Sequence, residues 1–143
     1  MRVEDILRHK GTRVATVTPD TTVEAALHKL HEMRIGALVV ATSTVPIAGI
    51  VSERDIVRAF ADRGIEAFHE PVERIMTSEV VTCAPDDLLT DLMATMTERR
   101  FRHMPVMDGG RLAGIISIGD VVKNRLEELE SETSDLRAYI ASA

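Results

Sequence analysis

The apolar positions of this 143-residue chain fall into two matching series. Val23, Ala26, Leu27 and Leu30 are spaced i, i+3, i+4, i+7, which predicts one buried face of a helix. Leu89, Leu92, Met93 and Met96 repeat that spacing, with Pro85-Asp86 standing where Pro19-Asp20 stood. Each helix follows a short apolar strand, residues 14–17 or 80–83. Each strand ends at a proline, which cannot donate to a sheet ladder. Asp20 or Thr21, and Asp86 or Asp87, are the expected N-caps, with Thr21-x-x-Glu24 as a capping box. Two further apolar runs come next in each series, 37–41 and 47–51, then 104–107 and 112–116. Asp108-Gly109-Gly110 joins the second pair as a hairpin turn. A second helix closes each unit.

The match extends beyond the helices. Gly49-Ile50-Val51-Ser52 corresponds to Gly114-Ile115-Ile116-Ser117, and Asp55-Ile56-Val57 to Asp120-Val121-Val122. The offset has dropped by one there, so one residue is missing from the intervening turn. Val3-Glu4-Asp5-Ile6-Leu7 resembles Val72-Glu73-Arg74-Ile75-Met76. The grammar is β-α-β-β-α twice over, an α/β (α+β) fold. A half of roughly 65 residues is marginal alone. The expectation is two repeats, 1–66 and 67–130, packed about a pseudo-twofold axis around a shared core, followed by a helical tail over 131–143.

Composition narrows the function classes. The formal net charge of −6 argues against a nucleic-acid or membrane-surface binder. Aromatics are 3% and Trp is absent, so the core must be aliphatic. The single cysteine, Cys83, excludes an intrachain disulfide and a Cys-rich zinc site, in keeping with a reducing cytoplasm. The N-terminus carries no secretory h-region, and no apolar run approaches the ~18 residues that would span a bilayer. Walker-type, G-x-S-x-G and H-E-x-x-H motifs are all missing, so no enzymatic activity is expected. His28 and His31 lie on the polar side of their helix and read as solvated.

Thr18-Pro19-Asp20, Met104-Pro105-Val106 and the two segments Gly49–Val57 and Gly114–Val122, each running strand, serine, aspartate, helix, carry a family resemblance. The chain resembles a tandem pair of CBS domains, the regulatory repeat named after cystathionine β-synthase. It is similar in particular to small stand-alone bacterial CBS-pair proteins, from about Val3 to Leu126. The resemblance implies a non-catalytic sensor that binds adenosine nucleotides (AMP, ADP or ATP, with NADH or an S-adenosyl compound as further options) in clefts between the repeats. It also implies a homodimer of CBS pairs and a regulated protein partner whose identity is open.

The resemblance assigns roles by position. Asp55 and Asp120 would hold the ribose, with Ser52 and Ser117 near ribose or phosphate. Ser-x-x-Asp at a helix start is also a plain capping box, and the two roles are compatible. Free N–H groups and the dipole at the helix N-terminus favour a phosphate. The adenine slot of the Asp55 site would draw on Ile50, Val81, Thr82, Cys83 and Phe101. That of the Asp120 site would draw on Thr16, Ile35, Gly36 and Ile115. For Val81 or Ile35 taken alone, core packing is the favoured reading. Arg102 and His103, beyond the end of their helix, would reach the phosphates, aided by Arg54. Arg99 and Arg100 are accounted for as cations at a helix C-terminus. The Asp55 site should therefore prefer more phosphate, and the Asp120 site a less charged adenosine compound.

Two rivals stand beside this reading: a ligand-free interaction module, and a nucleic-acid binder using residues 99–103. The tail adds a seam of Val122, Leu126, Leu129, Thr133, Leu136 and Ile140, too short to establish a coiled coil. Ser131 to Ser134 are expected to interrupt its helix. A dimer contact and packing on its own module are the two options.

Overall fold

The computed structural model describes residues 1–142. Helix α1 (Val3–Lys10) leads into strand β1 (Thr16–Val17), helix α2 (Val23–Met33), strands β2 (Ala37–Val40) and β3 (Gly49–Ser52) and helix α3 (Glu53–Arg63). Two 3-10 segments, Gly64–His69 and Val72–Arg74, connect to helix α4 (Leu89–Arg99). Strands β4 (His103–Asp108) and β5 (Arg111–Ser117) and helix α5 (Ile118–Ser142) complete the chain. The first sheet has the order β1-β2-β3, with β1 parallel and β3 antiparallel to β2. All four β2 residues are buried, so both faces of this central strand are covered. In the second half β4 and β5 pair antiparallel through the expected turn, where Gly109 and Gly110 both adopt positive φ.

The leading strands are shorter than the apolar runs suggested. In the second half that strand shrinks to a single parallel bridge, Cys83 to Val106. The expected caps also move. Thr22 accepts the Ala25 amide at the start of α2, and Leu88 occupies the N-cap of α4 without a side-chain bond. The acids serve the preceding turns instead: Asp20 accepts from the Thr18 hydroxyl, and Asp87 from the Ala84 amide at 2.8 Å. The turn around each proline has its own donors, a hydroxyl on Thr18 and the amide of Ala84, and the carboxylates reach those first.

The core is not shared but exchanged. Val3, Ile6 and Leu7 of α1 pack with Cys83, Leu89, Leu92, Met96, Met104 and Ile116 of the second half. Reciprocally, Val72, Ile75 and Met76 pack with Val23, Leu30, Leu38 and Val51 of the first. The pseudo-twofold relation persists down to single contacts. Arg2 bridges Leu88 as Pro71 bridges Thr22, and Leu7 covers Gly114 as Met76 covers Gly49. Each half is thus closed by the segment that leads into the other.

Helix α5 runs unbroken from Ile118 to Ser142, through the serines expected to interrupt it. Ser131, Thr133 and Ser134 are exposed, and Thr133 Oγ1 donates to the Leu129 carbonyl four residues back, so its hydroxyl is satisfied inside the helix. The last residue of the tail, Ala143, lies outside the described residues. Among the described residues, no helix is long and apolar enough to cross a membrane.

Candidate functional site

Each half ends its last strand in the same turn. At β3–α3, Ser52 is the N-cap: its hydroxyl accepts the Asp55 amide (3.3 Å), while Asp55 Oδ2 accepts the Ser52 amide (2.9 Å) and hydroxyl (3.0 Å). At β5–α5, Ser117 Oγ accepts the Asp120 amide (3.1 Å) and Asp120 Oδ2 accepts the Ser117 amide (2.9 Å). The first helical amide of each is also taken, Glu53 by the Gly36 carbonyl (3.0 Å) and Ile118 by the Arg102 carbonyl (2.8 Å). The first and third amides of both helices are therefore spent internally, which leaves only the second, on Arg54 and Gly119, of the free N–H groups expected from sequence. An anion here would depend on side-chain cations.

A cavity of about 280 Å³ opens at the first turn. It brings together Ser52, Arg54, Asp55 and Ile50 from the β3–α3 turn, Gly36 from the start of β2, and Val81, Phe101, Arg102 and His103 from the second half. Polar and apolar walls therefore come from different repeats. Val80 and Val81 line this wall, and neither makes a backbone hydrogen bond among the described residues, so their backbone donors and acceptors are left for a ligand or solvent. Gly36 allows a close approach: a Cβ there would lie 3.1 Å from His103 Nε2.

Four arginines (Arg54, Arg58, Arg100 and Arg102) face three carboxylates (Glu53, Asp55 and Glu79) around the cavity, a local reversal of the chain's net negative charge. Two of these arginines were not singled out by sequence. Arg58 lies one helical turn beyond Arg54, and that i, i+4 spacing was the available signal. Arg100 is at the helix end, as expected, being the C-cap of α4 in the left-handed region (φ 57°), but it also lines the cavity. Arg34 adopts the same conformation (φ 54°) at the equivalent end of α2.

The remaining sequence candidates are placed elsewhere. Cys83 is buried in the core and donates to the Pro105 carbonyl, and burial, with the nearby Asp87 charge, pushes its thiol up to about 12. Thr82 and Thr16 are exposed and line no part of this cavity, and the Thr16 carbonyl accepts Lys29 Nζ (2.6 Å). Ile35 is half-buried against the first core. At the second turn, Lys10 Nζ donates to both Asp120 Oδ2 (2.5 Å) and the Ile115 carbonyl (3.0 Å). Burial raises the Asp120 pKa, but the hydrogen bonds from Lys10 and Ser117 and the Lys10 charge outweigh it, so the carboxyl titrates below its ordinary value. His103 titrates below its ordinary value too, first through burial and then through Lys10 and Arg102, against the opposing pull of Asp120 and Asp55.

The described residues contain no cluster of His, Cys, Asp or Glu able to hold a metal ion, and His28 and His31 are exposed. The arrangement suits reversible capture of a small ligand with an apolar end, a hydroxyl-rich middle and an anionic end.

Comparison with known proteins agrees with the repeat. The family model described as "CBS domain" matches twice, over residues 3–62 and 72–127. The crystal structure of a CBS-domain containing protein from Agrobacterium tumefaciens superposes with a TM-score of 0.85 at 46% identity, covering 87% of this chain and 99% of that one. A CBS domain-containing protein of Bacillus subtilis is 30% identical over 115 residues, 80% of this chain and 81% of its own. A CBS domain pair crystallised with 5′-methylthioadenosine and S-adenosyl-L-methionine shares the fold at 23% identity, with a TM-score of 0.79 over 90% of this chain and 98% of that one.

Proposed function

The chain belongs to the CBS-domain family as a tandem pair of repeats, and on that premise we propose that it is a non-catalytic sensor whose Asp55 cavity takes an adenosine nucleotide. One observation carries the reading: a single cavity joins Asp55, an apolar slot and four arginines contributed by both halves. The ribose diol donates to the Asp55 carboxylate, whose Oδ1 has no partner among the described residues. The purine lies between Ile50, Val81 and Phe101, against the open backbone edge at Val80 and Val81. The phosphates extend toward Arg54, Arg58, Arg100, Arg102 and His103. At about 280 Å³ the cavity is slightly below the ~300–1,000 Å³ of small-molecule pockets, so terminal phosphates would project toward solvent. That favours ATP or ADP over S-adenosylmethionine, whose sulfonium would meet the arginines.

The output is a change in shape or partner affinity, which requires that the nucleotide bind one state of the module more tightly than another. Val57 and Phe60 on α3, with Val122, Leu126, Leu136 and Ile140 on α5, remain exposed and offer faces for a homodimer. A cytoplasmic location suits the lone buried thiol and a cytosolic nucleotide supply.

The test is calorimetric titration of the purified protein with AMP, ADP, ATP, NADH and S-adenosylmethionine, repeated on Asp55→Asn. Loss of a charge-assisted hydrogen bond of about 1.5–3 kcal/mol should weaken nucleotide binding roughly 10- to 100-fold. Absence of heat with all five ligands would leave the module as a ligand-free interaction domain.

A further inference from the structure

We propose that Lys10 is an intramolecular latch that closes the second, Asp120-centred cleft, so that each chain takes one nucleotide and acquires a second site only when Lys10 is released. The inference rests on the nucleotide reading above but adds to it an asymmetry that the repeat itself does not contain.

The two clefts begin alike. Ser52-Asp55 and Ser117-Asp120 make the same cap, and the strands carrying them match residue for residue. They differ in the segment that crosses from the other half. After Val72–Arg74 the connecting chain leaves its 3-10 segment through a turn at Ile75 and a bend at Met76, and Thr77 forms an isolated antiparallel bridge with Ile50. The Thr77 amide then donates to the Ile50 carbonyl (2.9 Å), and the Thr77 carbonyl accepts from the Ile50 amide (3.0 Å). The corresponding segment in α1 stays helical through Lys10 and stops only at Gly11, at φ 92°, whose amide caps the Leu7 carbonyl (2.8 Å). Among the described residues, Ile115 pairs with Pro105 of β4 but receives no such bridge from the α1 segment. Its carbonyl, the counterpart of the Ile50 carbonyl, receives the Lys10 ammonium instead.

Lys10 corresponds to Glu79, by the match of residues 3–7 with 72–76. Glu79 lines the first cavity and leaves Asp55 without an ion pair, whereas Lys10 reaches across to Asp120 at 2.5 Å. Both strand carbonyls are occupied, that of Ile50 by the Thr77 amide and that of Ile115 by Lys10, but only in the second cleft is the carboxylate that a ribose would use also held by an internal cation. The Lys10 side chain is 38% exposed, so rotation of that side chain alone, without unfolding of α1, would release the pair. An exposed pair of this kind is weak enough for a ligand or a partner to displace.

The experiment counts sites. ATP is titrated calorimetrically into the full chain, Lys10→Ala, Lys10→Ser and Asp55→Asn, each checked by urea unfolding so that only folded variants are compared. The latch predicts one equivalent per wild-type chain, lost in Asp55→Asn, and two equivalents in both Lys10 variants. Two equivalents in the wild type, or one in both Lys10 variants, would overturn the latch and leave the nucleotide reading intact. No binding by wild type with one equivalent in the Lys10 variants would overturn the Asp55 assignment and uphold the latch. No binding by any form would overturn both.

Discussion

Gly49 and Gly114 occupy equivalent positions at the inner edge of the two halves, yet alanine should be tolerated at one and not at the other. A Cβ on Gly114 would lie 2.6 Å from Leu7 Cδ2, with its next neighbours at 3.5 and 3.6 Å on the same side chain. The end of a leucine can swing away. A Cβ on Gly49 would meet Met76 Sδ at 2.5 Å and Met76 Cγ at 2.9 Å, and also the Thr77 carbonyl oxygen at 2.8 Å. That carbonyl is held by the Ile50 amide, so the backbone pair itself must move. Overpacking costs about 1–3 kcal/mol, and replacing glycine returns roughly 0.4–1 kcal/mol by restricting the unfolded chain. With the upper figure at Gly49 and the lower at Gly114, Gly49→Ala loses about 2 kcal/mol while Gly114→Ala is near neutral. At roughly 3 °C per kcal/mol for a chain of this size, that is a Tm drop of about 6 °C against almost none. Urea unfolding and a thermal melt measure both. Equal losses in the two variants would show that the exchanged segments are not held as described, and a neutral Gly49→Ala would refute the reasoning outright.

Other outcomes follow from the same contacts. Burial first, and then the Lys10 and Arg102 charges, place the His103 pKa in the folded protein below its unfolded value. The stability this confers is present above about pH 6.5 and is lost as pH falls through the folded value, so His103→Gln should flatten the pH dependence of urea stability below pH 6.5. Arg100→Gly relieves a left-handed backbone position worth about 1 kcal/mol and removes a cavity cation. Tm should therefore rise by roughly 3 °C while ATP affinity falls about two- to fivefold, two readouts moving in opposite directions. Replacing Leu136 and Ile140 of α5, 59% and 65% exposed, with serine should lower the solution mass by light scattering if these side chains join two copies. An unchanged mass would place the dimer contact elsewhere. Cys83 should resist alkylation in the folded protein, since burial holds it as the thiol.

Much of the fold was legible in the residues. The 3.6-residue spacing in α2 and α4 records which face each helix buries, and Val23, Ala26 and Leu30 are indeed buried, as are Leu89, Leu92 and Met96. The paired strands β2–β3 and β4–β5 and the Asp108-Gly109-Gly110 turn were legible for the same reason, since periodicity and turn chemistry are local. The leading strands, by contrast, shrank to Thr16–Val17 and a single bridge at Cys83. The caps were displaced because each acid had a choice between a donor in the turn (the Thr18 hydroxyl or the Ala84 amide) and a helix amide a few residues on, which spacing cannot resolve. The tail was judged breakable because serines weaken an isolated helix, but α5 satisfies its Thr133 hydroxyl internally.

The candidate site divides along the same line. By itself the sequence determined that there are two Ser-x-x-Asp turns, each at a strand-to-helix junction, and that basic residues cluster before β4. These are properties of short segments repeated in register. Only the tertiary structure decided that α1 and residues 72–76 exchange between the halves, and that Arg58 and Arg100 join Arg102 at one cavity. It alone decided that Lys10 reaches Asp120, 110 residues away, while Glu79 leaves Asp55 free. The repeat gives the two clefts the same cap, and local residues such as Arg54, where the second turn has Gly119, already set them apart in charge. Long-range packing adds a difference that spacing cannot show, because the side chain that occupies the second cleft crosses from the other end of the chain.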